Sequence, residues 1–135
     1  MTLLVDTSVW SLAFRRDRPS GAPEVRALAG ALAGNETVAT TGIVLLELLR
    51  GVVPPKVRAQ ILDRFEALEL ISPDLADYAA AAELGNVCRA AGVQVGTIDA
   101  LLASIAITYE LTLLTTDIDF RHIAGVAPLR IWTET

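Results

Sequence analysis

Cysteine, histidine and lysine each occur once in this chain, and each scarcity excludes something. A lone Cys88 rules out an intramolecular disulfide and fits a reducing compartment; it falls within a helical pattern and reads as a small buried residue. With His122 as the single histidine there is no Ser-His-Asp set and no zinc-spaced Cys/His cluster, and no Gly-rich phosphate loop is present either. No uninterrupted apolar run approaches the roughly 18 residues of a membrane span. The N-terminus has no basic leader segment, so the expectation is no signal peptide and a cytoplasmic location. Lys56 is the only lysine, and the other ten bases are arginines. Base is not in excess, so the chain lacks the overall charge signature of a nucleic-acid binder. Local arginines and a bound cation would have to attract any polyanion. Repeats, low-complexity tracts and interdomain linkers are also missing, which leaves one domain over residues 1–135.

What is present is apolar material and a particular set of acids. The chain is 53% hydrophobic, with a mean hydropathy of +0.48. That implies a very apolar core, or a surface covered by a partner. There are 16 acids against 11 bases. Asp6 ends the apolar run Leu3-Leu4-Val5. Glu47 interrupts the run Ile43–Leu49. Asp99 precedes Ala100–Ala106, and Asp117 follows Leu113–Thr116, with Asp119 two residues on. Without these five acids, the remaining acids equal the bases. An ionised carboxylate in apolar surroundings is costly unless paired or metal-bound. Several together, most without a neighbouring base, suggest a pocket for a hard divalent cation.

Short apolar strands alternate with helical segments. Strands are expected at Leu3–Asp6, Thr37–Thr40, Glu69–Ile71, Thr112–Thr115 and Leu129–Trp132. Helices are expected at Thr7–Arg16, Glu24–Ala33, from Thr41 or Gly42 to near Gly51, at Pro55–Leu68, at Asp74–Ala91 ended by Gly92, and from a Thr97 cap to about Glu110. One or two helical turns follow over Asp117–Ile123. This alternation indicates a parallel sheet covered by helices on both faces. Ligands of such sheets sit outside the carboxyl ends of the strands. Asp6 and Asp117 both lie at such ends, so they converge if their strands are neighbours.

Each acid also has a purely structural reading. Asp6 suits an N-cap for the first helix. Glu47 can pair with Arg50 across one helical turn. Asp99 is favoured in a first helical turn by the helix dipole. Asp117 and Asp119 suit a turn and the cap of the helix that follows. Thr7 and Ser8, and Thr116 before Asp117, add hydroxyls able to orient a metal-bound water or a phosphate.

The order of these features carries more than any one of them. The segments Val5-Asp6-Thr7-Ser8-Val9-Trp10, Glu47-Leu48-Leu49-Arg50-Gly51, Asp99-Ala100-Leu101-Leu102-Ala103 and Leu114-Thr115-Thr116-Asp117-Ile118-Asp119-Phe120 resemble the four motifs of PIN-domain ribonucleases. In length the chain is similar to the VapC toxins of bacterial type II toxin–antitoxin pairs. The resemblance implies a three-layer α/β/α fold with a mostly parallel sheet of about five strands. It implies cleavage of RNA with Mg²⁺ or Mn²⁺. It places Asp6, Glu47, Asp99 and Asp117 as catalytic acids around the metal, with Asp119 beside them and Asp6 and Asp99 as principal ligands. It also implies a homodimer, and a small antitoxin that covers the site.

Arg15, Arg16 and Arg18 cluster after the first helix, as a solvated loop or as a contact for RNA or a partner. Trp10 and Phe14, four residues apart, are core residues or part of a partner groove. His122 is expected on the surface near the site. Two other functions fit the acids less well. A Mg²⁺-dependent phosphotransferase or phosphatase would place Asp-x-Asp after the first strand, whereas here that pair comes late. A non-catalytic module would use the acidic pocket only to bind a partner.

Overall fold

The computed structural model describes residues 1–15, 20–51 and 53–134. Five strands form one sheet: β1 (Thr2–Val5), β2 (Thr37–Thr41), β3 (Glu69–Ile71), β4 (Thr112–Leu114) and β5 (Arg130–Ile131). Their order is β3-β2-β1-β4-β5, and every pairing is parallel. Successive strand residues point to opposite faces. Leu3, Leu4 and Val5 are each at most 1% exposed, so both faces of the central strand are covered. This is the helix–sheet–helix layering expected of short, uniformly apolar parallel strands.

The described helices are α1 (Thr7–Ala13), α2 (Pro23–Gly30), α3 (Gly42–Leu49), α4 (Pro55–Glu66), α5 (Leu75–Ala90), α6 (Thr97–Thr108) and α7 (Asp119–Ala124). α1 packs on α2 and α3, while α5 lies along α6, which in turn meets α7 and β4. Proline sits in the first turn of α2 and of α4, where its missing N–H costs nothing. α2 widens into a π-type turn over Ala31–Asn35. α5 opens with a reciprocal capping box, in which the Asp74 and Asp77 side chains each accept the other's main-chain amide. Beyond its end, Gly92 takes a left-handed φ of 84°. Ala100 to Ala106 of α6 are all buried, which explains why that stretch is apolar apart from Ser104.

Several boundaries differ from those read in the sequence. α1 stops at Ala13 rather than running to residue 16; Arg16 and Arg18 lie outside the described residues. Gly96, not Thr97, is the N-cap of α6, and Thr97 is its first residue. Trp10 is a core residue, 1% exposed. Its ring lies 5.9 Å from that of half-buried Phe14 and 4.9 Å from that of Phe65 on α4. The first helix therefore spends its largest side chain on the interior rather than on a partner groove. Among the described residues no helix is long and apolar enough to cross a membrane.

Candidate active site

The chain reverses direction across the sheet at β1. β2 and β3 are added on one side, β4 and β5 on the other. Parallel sheets open a crevice at such a switch point, beyond the carboxyl ends of the two strands. Here those strands are β1 and β4, and they are neighbours. The Asp6 amide donates to the Leu114 carbonyl at 2.9 Å, which extends their pairing by one step. Asp6 and Asp117 are thus delivered to one end of the sheet.

Asp6 begins α1, and its main-chain carbonyl accepts from the amides of Val9 and Trp10. Its side chain makes no capping bond. Instead Oδ2 accepts from Ser8 Oγ and from Thr115 Oγ1, both at 2.8 Å. Asp6 is only 6% exposed. Thr115 Oγ1 also accepts the Asp117 amide at 3.0 Å, and Ser8 Oγ accepts the Thr116 amide at 3.1 Å. Asp117 Oδ1 in turn accepts the Asp119 amide at 2.9 Å. From the other side, half-buried Glu47 on α3 takes the Thr7 hydroxyl on Oε1 at 2.7 Å. No Glu47–Arg50 ion pair forms among the described residues. Arg50 has left the helix with an extended backbone, and the carboxylate turns to Thr7.

Asp99 enters from α6 and accepts no side-chain or capping hydrogen bond among the described residues. One oxygen from each of Asp99, Asp117 and Asp119 lies within 4.8 Å of the others. The Asp99 carboxyl is pushed up to about 6, first by loss of water and then by the negative charges of Asp6, Asp117, Glu47 and Asp119. Asp6 is not in the close trio. It bears on Asp99 more than Asp117 does, as expected of a buried charge that water screens less. The ion pairs formed by described residues, Met1 with Glu36 and Arg26 with Glu134, involve none of these acids.

The carboxylates share one design. Asp6, Glu47 and Asp117 each have one oxygen held by an internal donor and a second with no hydrogen-bond partner among the described residues. Asp99 and Asp119 add oxygens with no hydrogen-bond partner among the described residues. Only hard oxygen donors converge here, as a divalent cation of the Mg²⁺ type requires.

The family model of the PIN domain matches residues 3–126. Ribonuclease VapC11 of Mycobacterium tuberculosis is 31% identical over 130 residues, which is 95% of this chain and 96% of that protein. The chain belongs to the PIN-domain VapC ribonuclease family. Among solved structures, VapBC2 of Rickettsia felis, bound to a promoter DNA fragment, matches with a TM-score of 0.77 at 26% identity. That match covers 98% of each chain. VapBC-5 of Mycobacterium tuberculosis, a toxin–antitoxin family member, matches with a TM-score of 0.67 at 28% identity, over 96% of each chain.

The VapC-family fold brings Asp6, Glu47, Asp99, Asp117 and Asp119 to one crevice. Within the protein, two of the hydroxyls expected to orient a water or phosphate donate to the acids themselves. Thr7 and Ser8 spend theirs on Glu47 and Asp6, and Thr116 is exposed and offers its main-chain amide to Ser8. The residue that sequence reasoning passed over is Thr115. It is buried at the end of β4 and linked to both Asp6 and Asp117. The available signal was a polar β-branched residue on the inward side of a buried strand end. Arg15 is exposed beyond α1, and His122 is exposed in the last turn of α7.

Proposed function

We propose that this chain is a ribonuclease toxin that uses Mg²⁺ or Mn²⁺ to hydrolyse RNA phosphodiester bonds in the cytoplasm. The observation that carries this reading is the set of acids, each with an oxygen unengaged among the described residues, around an Asp99 that has no hydrogen-bond or ion-pair partner among them. The family membership supports the same reading, because the relatives are named as VapC ribonucleases. The rival Asp-x-Asp phosphotransferase is not favoured, since in this chain Asp-x-Asp follows β4 and not β1.

Asp99, Asp117 and Asp119 would hold the cation, with Asp6 and Glu47 completing the negative field. A bound divalent ion supplies a water of lowered pKa and polarises the phosphoryl oxygen. The protein's own part is to keep the carboxylates aimed before substrate arrives. Ser8 and Thr115 hold Asp6 at Oδ2, Thr7 holds Glu47 at Oε1, and the Asp119 amide holds Asp117 at Oδ1. Pre-aimed charges need no reorganisation at the moment of reaction. The purified chain should cut single-stranded RNA with Mg²⁺ or Mn²⁺ and stop in EDTA; undiminished cutting in chelator would rule out the metal mechanism.

We further propose a small antitoxin partner, as the toxin–antitoxin proteins among the structural neighbours support, and, from the family resemblance alone, a homodimer. A basic side chain of that partner entering the crevice would pair with the unengaged oxygens, and a guanidinium could do so bidentately. Its apolar contacts cannot include buried Trp10. Leu46, Leu70, Leu75 and Ile118 are among the exposed apolar side chains available to a dimer or an antitoxin. Changing the partner's inserted basic residue to Ala should restore cleavage while binding persists. A tight complex that leaves cleavage intact would rule out direct blockade.

A further inference from the structure

One long face of α5 looks toward the segment that leads into α6. Tyr78, Ala82, Gly85, Asn86 and Arg89 recur along it at helical spacing. Small residues in the middle leave the face concave, and residues 93–98 form the opposite wall. The cleft between them measures about 960 Å³, at the upper end of the ~300–1,000 Å³ of ligand sites. None of the five acids lines it, but its walls include residues of the two helices that carry Asp99 and Glu47. Thr97 and Ile98 in its wall immediately precede Asp99, and Ile43 precedes Glu47 by one turn of α3.

Its polar groups are distributed along its length. Tyr78 stands 53% exposed near one end. Arg89 stands exposed near the other and forms no ion pair among the described residues. The two lie on the same face, about three turns and ~16 Å apart along α5. Asn86 between them and Gln94 on the opposite wall offer amide donors and acceptors.

The acid cluster itself repels phosphates, so a nucleic-acid strand crossing it must be held by groups at its flank. Single-stranded RNA is bound through stacking on aromatic rings and through Arg contacts to its backbone. Much of the lining is apolar, but exposed Asn86, Arg89 and Gln94 add polar groups that an apolar helix alone would leave unpaired. We infer that this cleft holds the RNA strand next to the bond being cut, with Tyr78 stacking a base and Arg89 holding a phosphate. The inference rests on the ribonuclease reading above.

Two measurements on the intact chain test it. The first is steady-state cleavage of a single-stranded RNA by wild type, Arg89→Gln, Tyr78→Leu and Tyr78→Phe. Loss of the guanidinium or the ring should raise KM roughly tenfold, with a smaller change in kcat. Tyr78→Phe should keep the wild-type KM, because stacking needs the ring and not the hydroxyl. The second is photocrosslinking of a 4-thiouridine RNA, with adducts mapped by mass spectrometry and expected on α5 around Tyr78. A wild type that crosslinks there yet cuts no RNA would support the cleft and overturn the ribonuclease reading. Cleavage with an unmoved KM in both variants and no adduct on α5 would overturn the cleft alone. A rise in KM that tracks dissociation of a dimer in sedimentation would also overturn it, by giving this face to a second copy.

Discussion

Thr7 donates its hydroxyl to Glu47 across 2.7 Å, joining the start of α1 to the last turns of α3. The bond fixes one oxygen and leaves the other without a partner among the described residues, so the geometry and the charge of Glu47 can be varied separately. Glu47→Gln keeps an acceptor for Thr7 and removes the charge. Thr7→Val keeps the charge and removes the donor. Glu47→Gln should lower cleavage the more, with little change in stability. Thr7→Val should cost about 1 kcal/mol, as for a lost intramolecular hydrogen bond. Urea denaturation and cleavage rates on the two variants measure this separation.

Thr115 and Thr116 are adjacent and should behave oppositely. Thr115→Val removes a donor to buried Asp6 and an acceptor for the Asp117 amide. It should cost on the order of 1–2 kcal/mol and slow cleavage by displacing two carboxylates. Thr116→Ala retains the main-chain amide that Ser8 accepts and should change both quantities little. Equal effects from the two substitutions would show that Thr115 does not orient the acids.

Asp99 sets a pH dependence for the cation-free protein. Its folded carboxyl titrates near about 6, against an ordinary 3.8. The folded state therefore holds this proton more tightly than the unfolded chain does. The resulting stability is complete below about pH 4 and is lost as pH rises through about 6. Water screening of this half-buried group limits the effect to roughly 1 kcal/mol. In EDTA, Asp99→Asn should therefore be more stable than wild type at pH 7.5 and lose that advantage at pH 4. Mg²⁺ should stabilise wild type increasingly as pH rises through 6, because the carboxyl must release its proton to bind the ion. Melting temperatures across pH 4–8, with and without Mg²⁺, test both signs.

Away from the site, Tyr109 Oη donates to buried Asp77 at 2.7 Å and ties the end of α6 to the start of α5. The main-chain amide of Asp74, followed by the Tyr109 hydroxyl, holds the Asp77 carboxyl below its ordinary value. The contribution of this group is thus present above the unfolded pKa and lost as pH falls through the lower folded one. Tyr109→Phe should melt at a lower temperature near neutral pH and differ less from wild type in acid. Because Asp77 accepts from main chain and tyrosine and lies outside the crevice, the metal requirement for cleavage should be unaltered.

Much of the architecture was legible because alternating short apolar strands and helices leave few alternatives. Glu69–Ile71 is the strand read from the sequence, and the acids at the ends of the first and fourth strands were placed correctly. What the one-dimensional pattern could not carry was which side chain turns inward at a strand end. Thr115 and Thr116 look equivalent in the sequence, and only the pleat beyond Leu114 separates them. Nor could it show that Glu47 would prefer Thr7, forty positions away, to Arg50 at three, since that depends on α3 ending just before Arg50. Trp10 was ambiguous for a similar reason: an aromatic on a short helix faces inward only if a neighbour such as Phe65 receives it.

The pairing of β1 with β4 also bears on how the protein is made. Asp6 directly follows β1, whereas Asp117 and Asp119 come after β4, much later in the order of synthesis. During translation β1 can meet β2 early, but its other edge stays unpaired until β4 has emerged. A nascent chain would thus carry neither a closed sheet nor a complete set of carboxylates until most of it has left the ribosome. Such non-local closure is slow and leaves an open strand edge prone to aggregation. For a chain that cuts RNA, the same delay would keep it harmless to the message still encoding it.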